Sequence, residues 1–141
     1  MPQIEKATRT GFCFGVTRAI DILTRAAAQH GGVETLGAIV HNRQVTDQLA
    51  AAGIRVASTM DAIQGEVAAI GSHGVAPEVE AEMKARYRVL VDTTCPFVHR
   101  AQSTARRLAE AGFSVIIYGE VEHPEVKGIL GHARGKGIAT M

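Results

Sequence analysis

Helix-type and strand-type segments alternate along these 141 residues, which predicts an α/β fold with repeated modules and mainly parallel sheets. Three observations carry that expectation. Glycines close the helical stretches, prolines or an asparagine open them, and polar clusters fall where a strand hands over to the next helix. A further regularity is that each of the two cysteines, Cys13 and Cys95, is followed 28 residues later by a histidine, His41 and His123.

The first helix is expected over Thr17 to Gln29, with Val16, Ile20, Leu23 and Ala27 on one face. Gly31-Gly32 stops it, because glycine takes left-handed backbone geometry without a steric penalty. Val33 to Val40 reads as a strand. Asn42 is a good N-cap for a second helix, with Val45, Leu49 and Ala52 inward and Gly53 at its end. Short strands are expected at Ile54 to Ala57 and Val67 to Ile70. Pro77 suits the first turn of a helix carrying Val79 and Met83, and Arg88 to Val91 is a further strand. The order then recurs. Pro96 opens a helix with Val98, Ala101, Ala105 and Leu108 inward, Gly112 ends it, and Phe113 to Tyr118 reads as a buried strand. Pro124 opens a short helix with Val126, Ile129 and Leu130, and the tail from Arg134 to Met141 shows no convincing element. The recurrence divides the chain into a first module, 1–94, and an incomplete second module, 95–141.

Composition excludes several classes. The chain is 46% hydrophobic and 21% charged, which suits a globular chain. A net charge of +1 gives no general field for nucleic acid or membrane. Six aromatic Phe and Tyr residues without Trp offer little stacking surface for single strands. No apolar run approaches the roughly 18–20 residues of a membrane span. The opening, Met1 to Lys6, lacks a signal-peptide core, and two cysteines suit a reducing, cytoplasmic setting in which a disulfide is the less expected use.

Four polar clusters occupy equivalent strand-to-helix positions: His41-Asn42, Ser72-His73-Gly74, Asp92-Thr93-Thr94-Cys95 and Glu122-His123-Pro124-Glu125. In open parallel sheets ligands bind outside the carboxyl ends of the strands, so all four point to one rim. Helix N-termini favour anions there, and three histidines suit a phosphate or diphosphate. Each residue also has an ordinary reading. A cysteine alone is a small buried hydrophobe, and a histidine alone is a satisfied structural or surface group. Cys95 opens a helix, a setting that draws a thiol toward thiolate. Glu125 is either an ordinary first-turn carboxylate or a general acid. His30, His99 and His132 read as solvent-facing, with His99 near enough to Cys95 to support it.

At these residues the chain resembles the 4-hydroxy-3-methylbut-2-enyl diphosphate reductases, the LytB/IspH family. The resemblance rests on five blocks in order: GFCFGVTRAI, LGAIVHNRQV, IGSHGVAPEV, VDTTCPFVHRAQ and YGEVEHPEVKGILGHA. It implies one and a half of the family's three α/β modules, arranged around a [4Fe-4S] cluster to which each module gives one cysteine. Cys13 and Cys95 would be two of those ligands. His41, His73 and His123 would bind the allylic diphosphate substrate, and Glu125 would donate the proton with which the hydroxyl leaves. The implied reaction is the reductive dehydroxylation that ends the non-mevalonate isoprenoid pathway, with ferredoxin or flavodoxin as electron donor. The third cysteine of the family pattern is absent, so the chain reads as an N-terminal fragment, inactive alone. Two rival readings are a Cys/His zinc site built from Cys13, Cys95, His41 and His123, and a non-catalytic phosphate-binding α/β module. Ligand sharing between two copies of the chain is a third.

Overall fold

The computed structural model describes residues 3–141; Met1 and Pro2, the start of the opening read above for a leader, lie outside it. Helices α1 (Phe14–His30), α2 (Arg43–Ala51), α3 (Pro77–Arg86), α4 (Pro96–Glu110) and α5 (Pro124–His132) alternate with strands β1 (Val33–Leu36), β2 (Ile54–Ala57), β3 (Val67–Ile70), β4 (Val89–Asp92), β5 (Val115–Tyr118) and β6 (Gly137–Thr140). A 3-10 turn, Met60–Ala62, precedes β3. The expected α/β class with parallel sheets is what the chain adopts. β1 to β4 form one sheet in the order β2-β1-β3-β4, and β5 pairs with β6 in another; every pairing is parallel.

The four-stranded sheet is covered on both faces, and β3 shows how. Val67 and Ala69 join the core beneath α1 and α2, with Leu23, Leu49 and Ile54. Ala68 and Ile70 join the opposite core, with Met83 of α3 and Tyr87. Alternate residues of a strand face opposite sides, so a strand buried at all four positions is apolar throughout. The β5–β6 ribbon is covered on one face only. Val115 and Ile117 pack with Ala105, Ala109 and Ala133, while Ile116, Tyr118 and Ile138 stand exposed.

Several local expectations need correction. α1 starts at Phe14, three residues before Thr17, and its buried face is Gly15, Ala19, Leu23, Ala26 and Ala27, with Val16 and Ile20 only partly covered. β1 ends at Leu36, because Gly37 turns the chain with φ +80°. Ala52 is exposed. β4 is shifted by one residue, to Val89–Asp92. The buried stripe of α4 is Val98, Gln102, Ala105 and Ala109, not Ala101 and Leu108. The β5 region is shorter and less buried than expected, and the tail does form a strand, β6. That strand, Gly-Ile-Ala-Thr, has little β-propensity of its own; pairing with β5 through Val115 N to Lys136 O (2.8 Å) and Gly119 N to Thr140 O (2.8 Å) holds it.

Candidate functional site

The strand order places the site. Neighbours of β1 and β3 lie on opposite sides, so the chain leaves the carboxyl ends of these two strands in diverging directions and opens a crevice. His41 follows β1 and His73 follows β3. Their ring centroids are 5.9 Å apart, and His123, ahead of α5, lies 5.3 Å from His73 with its ring nearly perpendicular. Three histidines separated by up to 82 positions thus form one group, with His73 at its centre. A cleft of about 220 Å³ beside them is lined by Gly37, Ala38, His41, Ser58, His73 and Pro124, among others.

Each histidine is fixed locally. The Asn42 side chain accepts from Val45 N (3.1 Å) and starts α2 beside His41. Gly74 N donates to Gly71 O (3.0 Å), making a tight turn that includes His73. Gly74 has φ +68°, which a side chain would resist. His123 caps α5: its Nδ1 accepts from Glu125 N (3.2 Å). A neutral His123 ring therefore carries its proton on Nε2. His73 is held below the usual histidine pKa, first by burial and then by His123; Glu125 opposes this, His41 adds to it, and a backbone contact at Ala38 opposes it. Glu125 is half-buried in the first turn of α5.

The cysteines form the second part of the site. Cys13 is the N-cap of α1 and Cys95 the N-cap of α4; neither caps through its side chain, so both thiols are free. Gly15 shows that they converge. A Cβ placed there would stand 2.6 Å from Cys95 Sγ and 4.0 Å from Cys13 Sγ. The Cys95 loop is tied to the four-stranded sheet by Thr93 N to Ile70 O (3.1 Å), Thr93 Oγ1 to Ile70 O (2.5 Å) and Cys95 N to Ser72 O (2.9 Å). Arg18 Nη1 donates to Thr94 O (3.3 Å) and joins α1 to the same loop. Ser72 is buried, its hydroxyl donating to Ile39 O (3.1 Å), so it is scaffold and does not face a ligand.

Thus the expected residues divide into two sets. His41, His73 and His123 are brought together, with Glu125 in the first turn of the helix that His123 caps, and Cys13 and Cys95 converge on Gly15. Among the described residues no three or more His, Cys, Asp and Glu side chains are grouped to hold a metal ion, so the four-ligand Cys₂His₂ arrangement is not assembled. His30 and His99 are exposed as expected; His132 is half-buried, with Nδ1 2.8 Å from Gly128 O. Gly15, Arg18 and Gln102 were not singled out by sequence reasoning. Gln102 alone left a signal, a polar residue in the 98-102-105-109 stripe of α4. A concavity of about 780 Å³ lies at the amino ends of the strands. There Glu34 already accepts from Gln64 N (2.8 Å) and Gly65 N (2.5 Å), which leaves a structural role for it.

A family model described as LytB protein matches residues 4–140. The chain is 57% identical over 139 residues to a 4-hydroxy-3-methylbut-2-enyl diphosphate reductase of Dehalococcoides mccartyi, covering 99% of this chain and 49% of the relative. It is 40% identical over 134 residues to the same-named protein of Geobacter metallireducens, covering 95% and 48%. A solved (E)-4-hydroxy-3-methyl-but-2-enyl diphosphate reductase superposes with TM-score 0.83 at 34% identity, over 93% of this chain and 48% of that one. A Plasmodium falciparum reductase shares the fold, with TM-score 0.87 at 24% identity, over 94% and 42%. The chain spans about half the length of the curated relatives it matches.

Proposed function

The chain belongs to the LytB protein family, and from that premise we propose that it carries part of the catalytic site of a 4-hydroxy-3-methylbut-2-enyl diphosphate reductase. The observation that carries this reading is the joining of the three histidine rings at the carboxyl ends of β1, β3 and β5, together with the convergence of the two thiols on Gly15.

His41, His73 and His123 bind the diphosphate of the allylic substrate. Their ring N–H groups point charge-assisted hydrogen bonds at its oxygens, and the amino ends of α2 and α5 favour negative charge at the same rim. A bound anion offsets the burial and mutual repulsion that depress the His73 pKa, so binding favours its protonated form. Glu125 lies two residues from His123 and moves the proton that the departing hydroxyl needs to leave as water.

Cys13 and Cys95 fit an iron–sulfur cluster by donor chemistry and by the close approach to both sulfurs that the missing side chain of Gly15 permits. They would hold two of its irons. When bound, a [4Fe-4S] cluster supplies the reducing electrons and a Lewis-acidic iron. Ferredoxin or flavodoxin is the electron donor in this reading. A cytoplasmic setting follows from two free thiols that need reducing conditions; no helix among the described residues is long and apolar enough to cross a membrane. Residues 1–94 and 95–141 act as a first module and part of a second. A purely phosphate-binding module would leave the cysteines idle, and their convergence on Gly15 speaks for a shared task instead.

The sequence offers two thiolates where the family pattern uses three, so this 141-residue chain is expected to lack reductase activity. Anaerobic iron and sulfide reconstitution, followed by an assay with a chemical reductant, tests that; cluster-dependent turnover would overturn it. Calorimetric titration with inorganic pyrophosphate tests the anion site. Binding by the wild type, weakened at least tenfold in His73→Ala, supports it, and no binding by the wild type sinks it.

A further inference from the structure

Gln102 is a buried polar residue that the site described so far does not use. It is 5% exposed, and its Nε2 has no hydrogen-bond partner. An unpartnered donor inside a protein is costly, and Leu or Met would fill the same stripe of α4 without that cost. The surroundings show what the amide faces. A Cβ on Gly74 would stand 2.5 Å from Gln102 Nε2, and one on Gly128 would stand 3.1 Å from Nε2 and 3.7 Å from the His73 carbonyl oxygen. Two glycines from different elements, the His73 turn and α5, therefore make room for one amide. The unpaired N–H and the His73 carbonyl thus both line the space that the missing side chain of Gly128 leaves. α4 thereby touches both segments that carry the site's central histidine contact, His73 and His123.

We propose that Gln102 is a positioning residue of the anion site: its amide N–H donates to the His73 carbonyl when the histidines take up a phosphate-type ligand, and so holds the His73 ring between those of His41 and His123. This rests on the reading of the three histidines as an anion site. It explains why a donor is retained on a buried stripe, and why the residue at 128 has no side chain. Gln102 does not touch the ligand. It acts through the backbone of His73.

The test is pyrophosphate titration of the 141-residue chain and two variants. Gln102→Met keeps length and apolar volume but removes the amide. Gly128→Ala keeps the amide but puts a methyl in the gap, while favouring the helix that contains it. Both are expected to bind pyrophosphate about tenfold more weakly, the effect of one lost hydrogen bond, with Gln102→Met melting at or above the wild-type temperature because its unpartnered amide is gone. The side-chain NH₂ resonances of Gln102 in ¹H–¹⁵N spectra are expected to move when pyrophosphate is added to the wild type. Wild-type affinity in both variants, or unmoved resonances in a wild type that binds, overturns the positioning role and leaves the anion site standing. Absence of binding by the wild type overturns the anion site and the role together. If Gln102→Met does not fold, Gly128→Ala and the wild-type resonances decide.

Discussion

The four-stranded sheet and the β5–β6 ribbon are built from the same strand-to-helix unit, yet they are held in different ways. β3 is buried at all four positions between two cores. β5 alternates, with Val115 buried and Ile116 and Tyr118 exposed at 69% and 85%. The site draws on both regions unequally. His41, His73 and the Cys95 loop leave the four-stranded sheet, and Thr93 and Cys95 hydrogen-bond back to Ile70 and Ser72. His123 and Glu125 leave the ribbon. Their loop is closed mostly on itself, by His123 N to Glu120 O (3.0 Å) and Glu125 N to His123 Nδ1 (3.2 Å). The half covered on both faces thus presents two histidines and both thiols, and the more exposed half brings the third histidine and Glu125 to them. The difference teaches that one repeated unit serves as foundation in one place and as a docked arm in the other.

The largest test of this contrast is a pair of truncations read by urea denaturation. Leu23 is fully buried in the core beneath α1, and Leu23→Ala is expected to cost about 3–5 kcal/mol. Ile138 on the ribbon is 63% exposed, and Ile138→Ala is expected to change stability by less than about 0.5 kcal/mol. Equal costs would erase the distinction. A smaller effect is expected where the two thiols meet. Gly15→Ala puts a methyl 2.6 Å from Cys95 Sγ, and because Cys95 is pinned through its backbone, the collision is expected to cost about 1–3 kcal/mol. The same variant should lose cross-linking of Cys13 to Cys95 by a short bifunctional thiol reagent; retained cross-linking would show that the sulfurs do not pack around residue 15.

The smallest effect is the pH dependence of the junction between the two regions. Burial and His123 place the folded-state pKa of His73 below the ordinary value of about 6.5. The unfolded chain therefore takes up that proton first. The His73 contribution is fully favourable above pH 6.5 and is lost as pH falls below it toward the folded-state pKa. Between pH 7.5 and 5.5 wild-type stability should fall more steeply than that of His73→Gln, which stays neutral. Parallel slopes in urea titrations would place His73 in a more open environment than its neighbours imply.

Much of this was legible beforehand. The helix starts at Asn42, Pro77, Pro96 and Pro124 and the strands at Ile54 and Val67 fall where capping residues and apolar runs place them, because these signals act over a few neighbouring residues. Errors collect where a longer-range partner decides. Gln102 occupies a stripe that apolar periodicity assigned to Ala101 and Leu108, since an amide reads as surface until two glycines from elsewhere are seen to enclose it. β6 went unread because it exists through pairing with β5.

What the amino-acid order determined by itself was local: which stretches coil or extend, that polar clusters close the strands, and that thiol and imidazole recur at an interval of 28 residues. The rest was decided by the tertiary fold. Only the order β2-β1-β3-β4 opens a crevice between the ends of β1 and β3, and only the docking of α4 and α5 brings His123 to 5.3 Å from His73 and Cys95 to the bare face of Gly15. The physical reason is range. Helix caps and apolar periodicity are set within a turn or two of chain, whereas a contact across many tens of residues depends on which strand pairs with which, and on where a missing side chain allows two backbones to approach.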